Sequence, residues 1–514
     1  MTRARADRSR VDFGDFQTPD SLARRVCTIV ADAGSRYKSI LEPTCGEGAF
    51  VVAAVAAFPE TEHLLGADVH PSHVAVAQAR AQSLSSKMDC RLEVADFFAT
   101  DWRTVVESLP EPVLVIGNPP WVTNSHLAVL GSQNLPKKQN KDGRRGIDAM
   151  TGHSNFDISE SMLRTLLDAI AGRHATLAVL CKTSVARKVL RHAWRTGVPI
   201  TSASLHRIDA IREFGASVDA CLLLIHVGDG TRAAECPVFD SLSERLPSST
   251  FGLRGENLVA DLQLHDRWAA LGGQGLSGWR SGVKHDCSAI LELTRNSSGT
   301  FVNSAGDLVD LEPEVAFPFA KSSDLAASRK PTRWLLVTQR TMAENPERLK
   351  RVAPTAWAYL LSHGERLDAR RSSIYRGRPR FSIFGVGDYS FSPWKLAVSG
   401  LYKRLSFTVL QPFEGQPVLC DDTCYIFACQ TEDECRDLLN LFESQPAQEF
   451  LTSQVFWDAK RPITARLLNS LSISALADAL DCKGETVRRL AERQFGGYHE
   501  LSHQAMLFTE SQAS

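Results

Sequence analysis

No stretch of this 514-residue chain is apolar for long enough to cross a membrane. The longest apolar runs, around Val179 and from Cys221 to Val227, fall far short of the ~20 residues a helical span needs. The first ten residues carry arginines but no apolar segment, so they read as a frayed basic tail rather than a secretory signal. Excess charge is also missing: 58 basic against 59 acidic side chains leave a net charge of −1. That neutral sum argues against a uniformly basic nucleic-acid binder, but it cannot see a local patch. The 12 cysteines are scattered, without the spacing of a disulfide framework, which points to a reducing cytosol. Their one local group, Cys420, Cys424, Cys429 and Cys435, lacks the tight pairing of zinc ligands. Residues 424–429 read as a buried strand instead, and no metal is expected. Internal repeats are absent as well.

What is present is ordinary globular composition, 43% hydrophobic and 23% charged, at a length that suggests two or three domains. The first 230 or so residues alternate short apolar runs with amphipathic stretches. Strands are predicted at 39–42, 64–68, 91–94, 113–117, 176–181, 201–208 and 220–227, and helices at about 20–33, 47–58, 71–84, 158–171 and 184–195. Repeated strand–helix units predict a doubly wound, mostly parallel α/β sheet. A polar insertion from Ser125 to Asn155 delays the fifth unit. Residues 228–255, rich in Ser, Gly and Pro, read as a linker. The domain expectation is therefore 1–235, then an α+β domain over 250–470, then a helical tail over 471–514. Within that tail, 475–490 could form a helix-turn-helix; a plain helical hairpin is the preferred reading.

The turn Glu42–Pro43–Thr44–Cys45–Gly46–Glu47–Gly48 follows the first strand and opens a helix. Glycines allow a ligand close to the backbone, and a helix start offers free N–H groups. The run is shorter than the dinucleotide pattern G-x-G-x-x-G. Its acids, Glu42 and Glu47, favour a cationic ligand, and S-adenosylmethionine, with a sulfonium and an ammonium group, fits. Asp68 ends the second strand, placed to accept from ribose hydroxyls. After the third strand, Asp96 can accept from an adenine amino group and Phe97 can stack on its ring. Three acids at consecutive strand ends coincide with the crevice where such sheets bind ligands.

The fourth strand delivers Asn118–Pro119–Pro120–Trp121. With the preceding strand ends, this motif resembles the N6-adenine-specific DNA methyltransferases of restriction–modification type. Phe16–Gln17–Thr18–Pro19 resembles their N-terminal cofactor motif, and its place ahead of the glycine turn matches their gamma motif order. The resemblance is motif by motif over about 1–230. It is looser in the C-terminal half, around 388–391 and 456–461. It implies a Rossmann-like class I methyltransferase domain with a seven-stranded sheet, plus a C-terminal α+β target-recognition domain. It implies S-adenosylmethionine as methyl donor, bound by Thr18, Glu42, Pro43, Thr44, Gly46, Gly48, Asp68, Asp96, Phe97 and Asn118. Asn118, Pro119, Pro120 and Trp121 become the catalytic loop. An exocyclic amine is a poor nucleophile because its lone pair is delocalised. Acceptors on its hydrogens, Asn118 Oδ1 and the Pro119 carbonyl, free that pair, and the prolines preset the loop. Trp121 would stack on a flipped base, and the resemblance makes Phe214 the facing aromatic. Each could instead be a core aromatic.

The same resemblance implies duplex DNA as partner, a separate cognate restriction endonuclease, no membrane, and a bacterial or archaeal cytosol. Lys137, Lys138, Lys141, Arg144 and Arg145 would anchor phosphates near the flipped base. In the second domain, Arg370, Arg371 and Lys395, interleaved with aromatics, read as a DNA-facing surface; a solvated face over a core is the alternative. Cytosine N4, RNA or protein amines remain open as acceptors, as does a non-catalytic DNA-binding specificity subunit.

Overall fold

Ser39–Glu42 (β1) is buried along its whole length, and it takes a parallel neighbour on each side, His63–Asp68 (β2) and Val113–Gly117 (β4). In this computed structural model, which describes residues 17–84, 87–122, 157–273, 276–482 and 484–496, these strands belong to a ten-stranded sheet. Asp89–Val94 (β3) extends it beyond β2, and Ala175–Lys182 (β5) beyond β4, both in parallel. Ala220–Val227 (β7) then inserts antiparallel between β5 and Ile200–Ile208 (β6). The first seven strands therefore run β6-β7-β5-β4-β1-β2-β3, the expected mostly parallel arrangement. Helices Asp20–Asp32 (α1), Ala49–Ala57 (α2), Pro71–Gln82 (α3), Trp102–Glu107 (α4), Ile158–Ile170 (α5), Thr183–Thr196 (α6) and Ala210–Phe214 (α7) accompany these strands. The central strands β1, β4, β5 and β7 are buried almost throughout, as strands covered on both faces require, whereas β3 is mostly exposed and β6 alternates.

The expected linker is a correction. Glu235–Phe239 (β8), Ser249–Arg254 (β9) and Asn257–Val259 (β10) continue the sheet outward from β6. Their apolar signal is thin, with Cys236, Val238, Phe251 and Val259 turned inward. The glycine that suggested a linker is needed for packing: a Cβ on Gly252 would lie 2.5 Å from the Ala234 carbonyl oxygen. The chain divides into two compact units between Leu262 and Gln263.

The second unit is α+β. One of its sheets has the order Trp279–Ser281 (β11), Cys424–Cys429 (β20), Trp394–Ser399 (β17), Phe407–Leu410 (β18). A six-stranded sheet accompanies it, in the order Leu308–Val309 (β14), Phe301–Val302 (β13), Glu292–Arg295 (β12), Arg333–Leu336 (β16), Ala316–Ala320 (β15), Leu419–Cys420 (β19). Helices Ile473–Ala479 and Glu485–Gly496 do not form a separate tail: Leu476 and Leu490 are buried in one cluster with Trp279, Phe427 and Phe442. Gln494 fastens them, accepting from Ile473 N at 2.8 Å and donating to the Leu471 carbonyl at 2.7 Å. No described helix is long and apolar enough to cross a membrane.

Lys395 requires a second correction. It lies in the interior of β17, is fully buried, and donates to the Ser392 carbonyl at 2.5 Å. It therefore cannot reach DNA. Burial lowers its pKa from the usual 10.5 to about 8. The unfolded chain thus holds this proton more tightly than the folded one. The cost to stability is full below pH 8 and fades as pH rises from 8 toward 10.5. Lys395→Met is expected to raise unfolding free energy at pH 7 by about 1–3 kcal/mol. The gain should shrink as pH approaches 10, measured by denaturant unfolding at both values. A gain that does not change with pH would show that the amine is not the cause.

Candidate active site

The parallel register brings the C-terminal ends of β1, β2 and β4 to one edge of the sheet. From there the chain turns through Pro43–Gly48 into α2, with Gly46 at φ 50° and Gly48 at φ 81°. Both are left-handed conformations that glycine tolerates without strain. Gly48 is also crowded, since an added Cβ would stand 2.9 Å from Ala77 Cβ. The turn is held by backbone N–H groups aimed at side chains. Gly46 N donates to Asp68 Oδ2 at 3.0 Å, and Glu47 N donates to Gln17 Oε1 at 3.0 Å. Asp68 Oδ1 also accepts from His70 N at 2.8 Å. Part of its accepting capacity therefore goes to shaping the turn, and the rest remains for a ligand's hydroxyls.

Glu42 is the least expected group by energy. It is 2% exposed, and its Oε2 is buried without a hydrogen-bond partner. Burial, reinforced by the charge of Asp68, pushes its pKa well above the usual carboxylate range. A buried acceptor in this state calls for a donor, and a cation most of all. An ammonium group would meet that demand.

The catalytic-loop candidates adjoin this turn. A Cβ on Gly117 would lie 3.7 Å from Glu42 Cγ and 3.6 Å from Thr44 Oγ1. Asn118 follows, and its Nδ2 donates to Thr18 Oγ1 at 3.2 Å. Gln17 and Thr18 thus strap the N-terminal segment to both the turn and the loop. Pro43 and Pro119 are buried, while Pro120 is half-buried.

Trp121 and Phe214 are brought together, but closed. Their ring centroids are 5.1 Å apart at 72°, an edge-to-face contact. A base between parallel rings needs about 7 Å, twice a stacking distance of about 3.5 Å. Trp121 is 6% exposed, and its Nε1 donates to the Leu180 carbonyl at 3.4 Å. Phe97 is buried, with Trp102 at 5.0 Å and Phe98 at 5.4 Å between ring centroids. Asp96 shapes the same turn, accepting from Phe98 N at 2.8 Å.

Several residues were missed in sequence. Gln17 lay inside a recognised motif but carried no role. Val69 is 40% exposed directly after Asp68, an apolar surface beside the expected ribose acid. Asp157 accepts from Lys182 Nζ at 2.7 Å and from Ser159 N at 3.1 Å, so Lys182 is tied into an ion pair. Ile158 N donates to the Val122 carbonyl at 2.8 Å, which joins the start of α5 to the end of the loop. The cue for Asp157 was its helix-capping position ahead of Ile158.

The expected DNA contacts fare unevenly. Lys137, Lys138, Lys141, Arg144 and Arg145 lie outside the described residues. Arg370 is a correction: it donates to the Leu367, His285 and Ser382 carbonyls and lies 3.8 Å from the Tyr375 ring centroid. It therefore fastens its own loop. Arg371 is exposed.

No protein-family model matches the chain. A curated relative, the type II methyltransferase M.NspV from Nostoc sp., is 38% identical over 478 residues, covering 92% of this chain and 99% of that protein. Among solved structures, the type IIL restriction–modification enzyme MmeI in complex with DNA aligns with 92% of this chain and 72% of its own at 11% identity, with a TM-score of 0.49. The methyltransferase subunit of a type I system from Streptococcus thermophilus aligns with 47% of this chain and 50% of its own at 14% identity, with a TM-score of 0.31.

The raised pKa of Glu42 means that the folded chain holds that proton more tightly than the unfolded one. The ionised side chain therefore costs stability at a pH well above the usual carboxylate range. Glu42→Gln should raise the Tm of the unliganded protein at pH 8 by about 2 °C and leave it nearly unchanged at pH 5. Equal gains at both pH values would sink the buried-charge explanation.

Proposed function

We propose that this chain, which belongs to the type II methyltransferase family, transfers a methyl group from S-adenosylmethionine to the 6-amino group of a flipped-out adenine in duplex DNA. The observation that carries this reading is the junction of loop and turn. Asn118 is bonded to Thr18, and Gly117 lies against Glu42 and Thr44. An amine-activating loop thereby adjoins a turn suited to a cationic cofactor.

When bound, the cofactor supplies an electrophilic methyl group. Glu42 would accept from its ammonium, Asp68 from its ribose hydroxyls, and Thr18 would lie at its carboxylate. With Asn118 Nδ2 donating to Thr18 Oγ1, the amide would present Oδ1 as its acceptor. Asn118 Oδ1 and the Pro119 carbonyl then take the two hydrogens of the target amine and draw its nitrogen toward sp³. Pro119 and Pro120 hold these acceptors in place before substrate arrives. No strong base is required, because the proton becomes acidic only as the new bond forms. Trp121 and Phe214 would separate to admit the base and stack on it, contributing roughly 1–3 kcal/mol toward the unstacking cost.

The second unit would read the target sequence, and Lys137, Lys138, Lys141, Arg144, Arg145 and Arg371 would contact phosphates. In a restriction–modification pair, the methylated site would be refused by a separate cognate endonuclease. The test is to incubate purified protein with S-adenosylmethionine and mixed-sequence duplex DNA, then identify methylated nucleosides by mass spectrometry. N6-methyldeoxyadenosine is expected from the wild type, with a loss of at least about 100-fold for Asn118→Ala. N4-methyldeoxycytidine would keep the mechanism and correct the base. Cofactor binding without any methylated duplex would overturn the reading.

A further inference from the structure

We propose that the tip of the β17–β18 hairpin is the element of the second unit that enters the major groove of the substrate duplex, with Tyr402, Lys403 and Arg404 as its contact residues. This rests on the DNA reading above and adds which element of the fold does the reading.

The hairpin is a regular antiparallel ribbon, paired from Lys395↔Leu410 to Val398↔Phe407, with β18 at the edge of its sheet. A two-stranded ribbon of this kind fits the major groove, which is about 12 Å wide. Its root is fixed. Gly400 N donates to the Thr423 carbonyl at 2.8 Å. A Cβ on Gly400 would lie 2.8 Å from Tyr425 Cε2, 2.9 Å from the Thr423 carbonyl oxygen and 3.2 Å from that of Ile463. Only glycine passes there, so the loop leaves the sheet in a set direction.

The tip contradicts what an idle loop would carry. Solvated turns favour Gly, Asn, Asp and Ser, whereas this one presents Leu401 at 39% and Tyr402 at 43% exposure, followed by exposed Lys403 and Arg404. Among the described residues, no side-chain hydrogen bond, ion pair or ring contact holds Tyr402, Lys403 or Arg404. Several other cations of this unit are neutralised at close range: Arg380 by Asp368 at 2.7 Å, Arg333 by Asp324 at 3.0 Å, Arg493 by Glu434 at 2.8 Å. Arg461, next to Ile463, is likewise held to Asp422 at 3.4 Å. Two adjacent uncompensated cations beside an exposed aromatic ring, on a rigid ribbon, match a polyanion with stacked bases better than they match water.

The test measures binding of a mixed-sequence fluorescent duplex to the full chain by anisotropy at several salt concentrations, with cofactor binding measured separately. Lys403→Ala and Arg404→Ala should each weaken duplex binding about tenfold and lower the magnitude of the salt slope by about 1. Cofactor affinity and thermal unfolding should stay unchanged. Tyr402→Ala should weaken duplex binding with the salt slope unaltered. Arg436→Ala, which removes an exposed cation already paired with Glu432, should do nothing. Wild-type duplex affinity in all three tip variants would overturn the hairpin assignment while leaving the DNA reading intact. A wild-type protein that binds cofactor but no duplex would instead remove the DNA reading, and this inference with it.

Discussion

The structure depends on β1 having parallel partners on both sides. Parallel pairing sends every connection back across a face of the sheet, so the C-terminal ends of β1, β2 and β4 share one edge. That constraint alone gathers Glu42, Asp68 and Gly117, which lie far apart in sequence. The remaining contacts refine it. Asp68 pins Gly46, Gln17 pins Glu47, and Thr18 pins Asn118. Each of these bonds is modest alone. Together they hold a turn and a loop from different strands in one geometry, as a two-substrate reaction needs.

Two buried charges show how the same physics serves different ends. Glu42 and Lys395 are both removed from water, and burial disfavours the charged form of each. Lys395 has an internal acceptor in the Ser392 carbonyl and a strand-interior position no ligand reaches. Its cost is simply carried by the second unit. Glu42 keeps one oxygen without a partner at the edge where the strands end. A cation held there, as in the cofactor role proposed above, would favour the ionised form that burial now disfavours.

Much of the first unit was legible because its central strands are short, largely apolar segments between helical stretches. Ser39–Glu42, Val113–Gly117 and Ala220–Val227 fall where the sequence predicts them. The sheet's outer strands were not legible. β8–β10 bury only scattered apolar residues, and Gly252 is there for a close approach between strands, not for flexibility. The site was legible as chemistry at strand ends but not as geometry. Nothing local in Trp121 or Phe214 says that the rings touch, because that contact joins residues nearly a hundred positions apart. Lys395 failed for the opposite reason: a lysine in a basic–aromatic stretch reads as surface, and only the register against β20 places it inside. Arg370 likewise had a formal charge but three carbonyl partners.

The Trp121–Phe214 contact joins the loop after β4 to the end of α7. Edge-to-face packing leaves Trp121 buried and Phe214 half-buried. In the reaction proposed above, an entering base would have to replace that contact with stacking and leave its own duplex stack. Trp121 belongs to a loop closed by proline and joined to α5 through Val122 and Ile158, with its indole nitrogen directed at β5. Phe214 ends a five-residue helix, α7, followed by Gly215 at φ 68°, and Glu213 beside it is tied to Arg25 at 2.6 Å. Both rings are thus held through their own backbones as well as by each other. In the reaction proposed above the pair would open to admit a base, while the Asn118–Thr18 bond would keep the amine-activating loop in place.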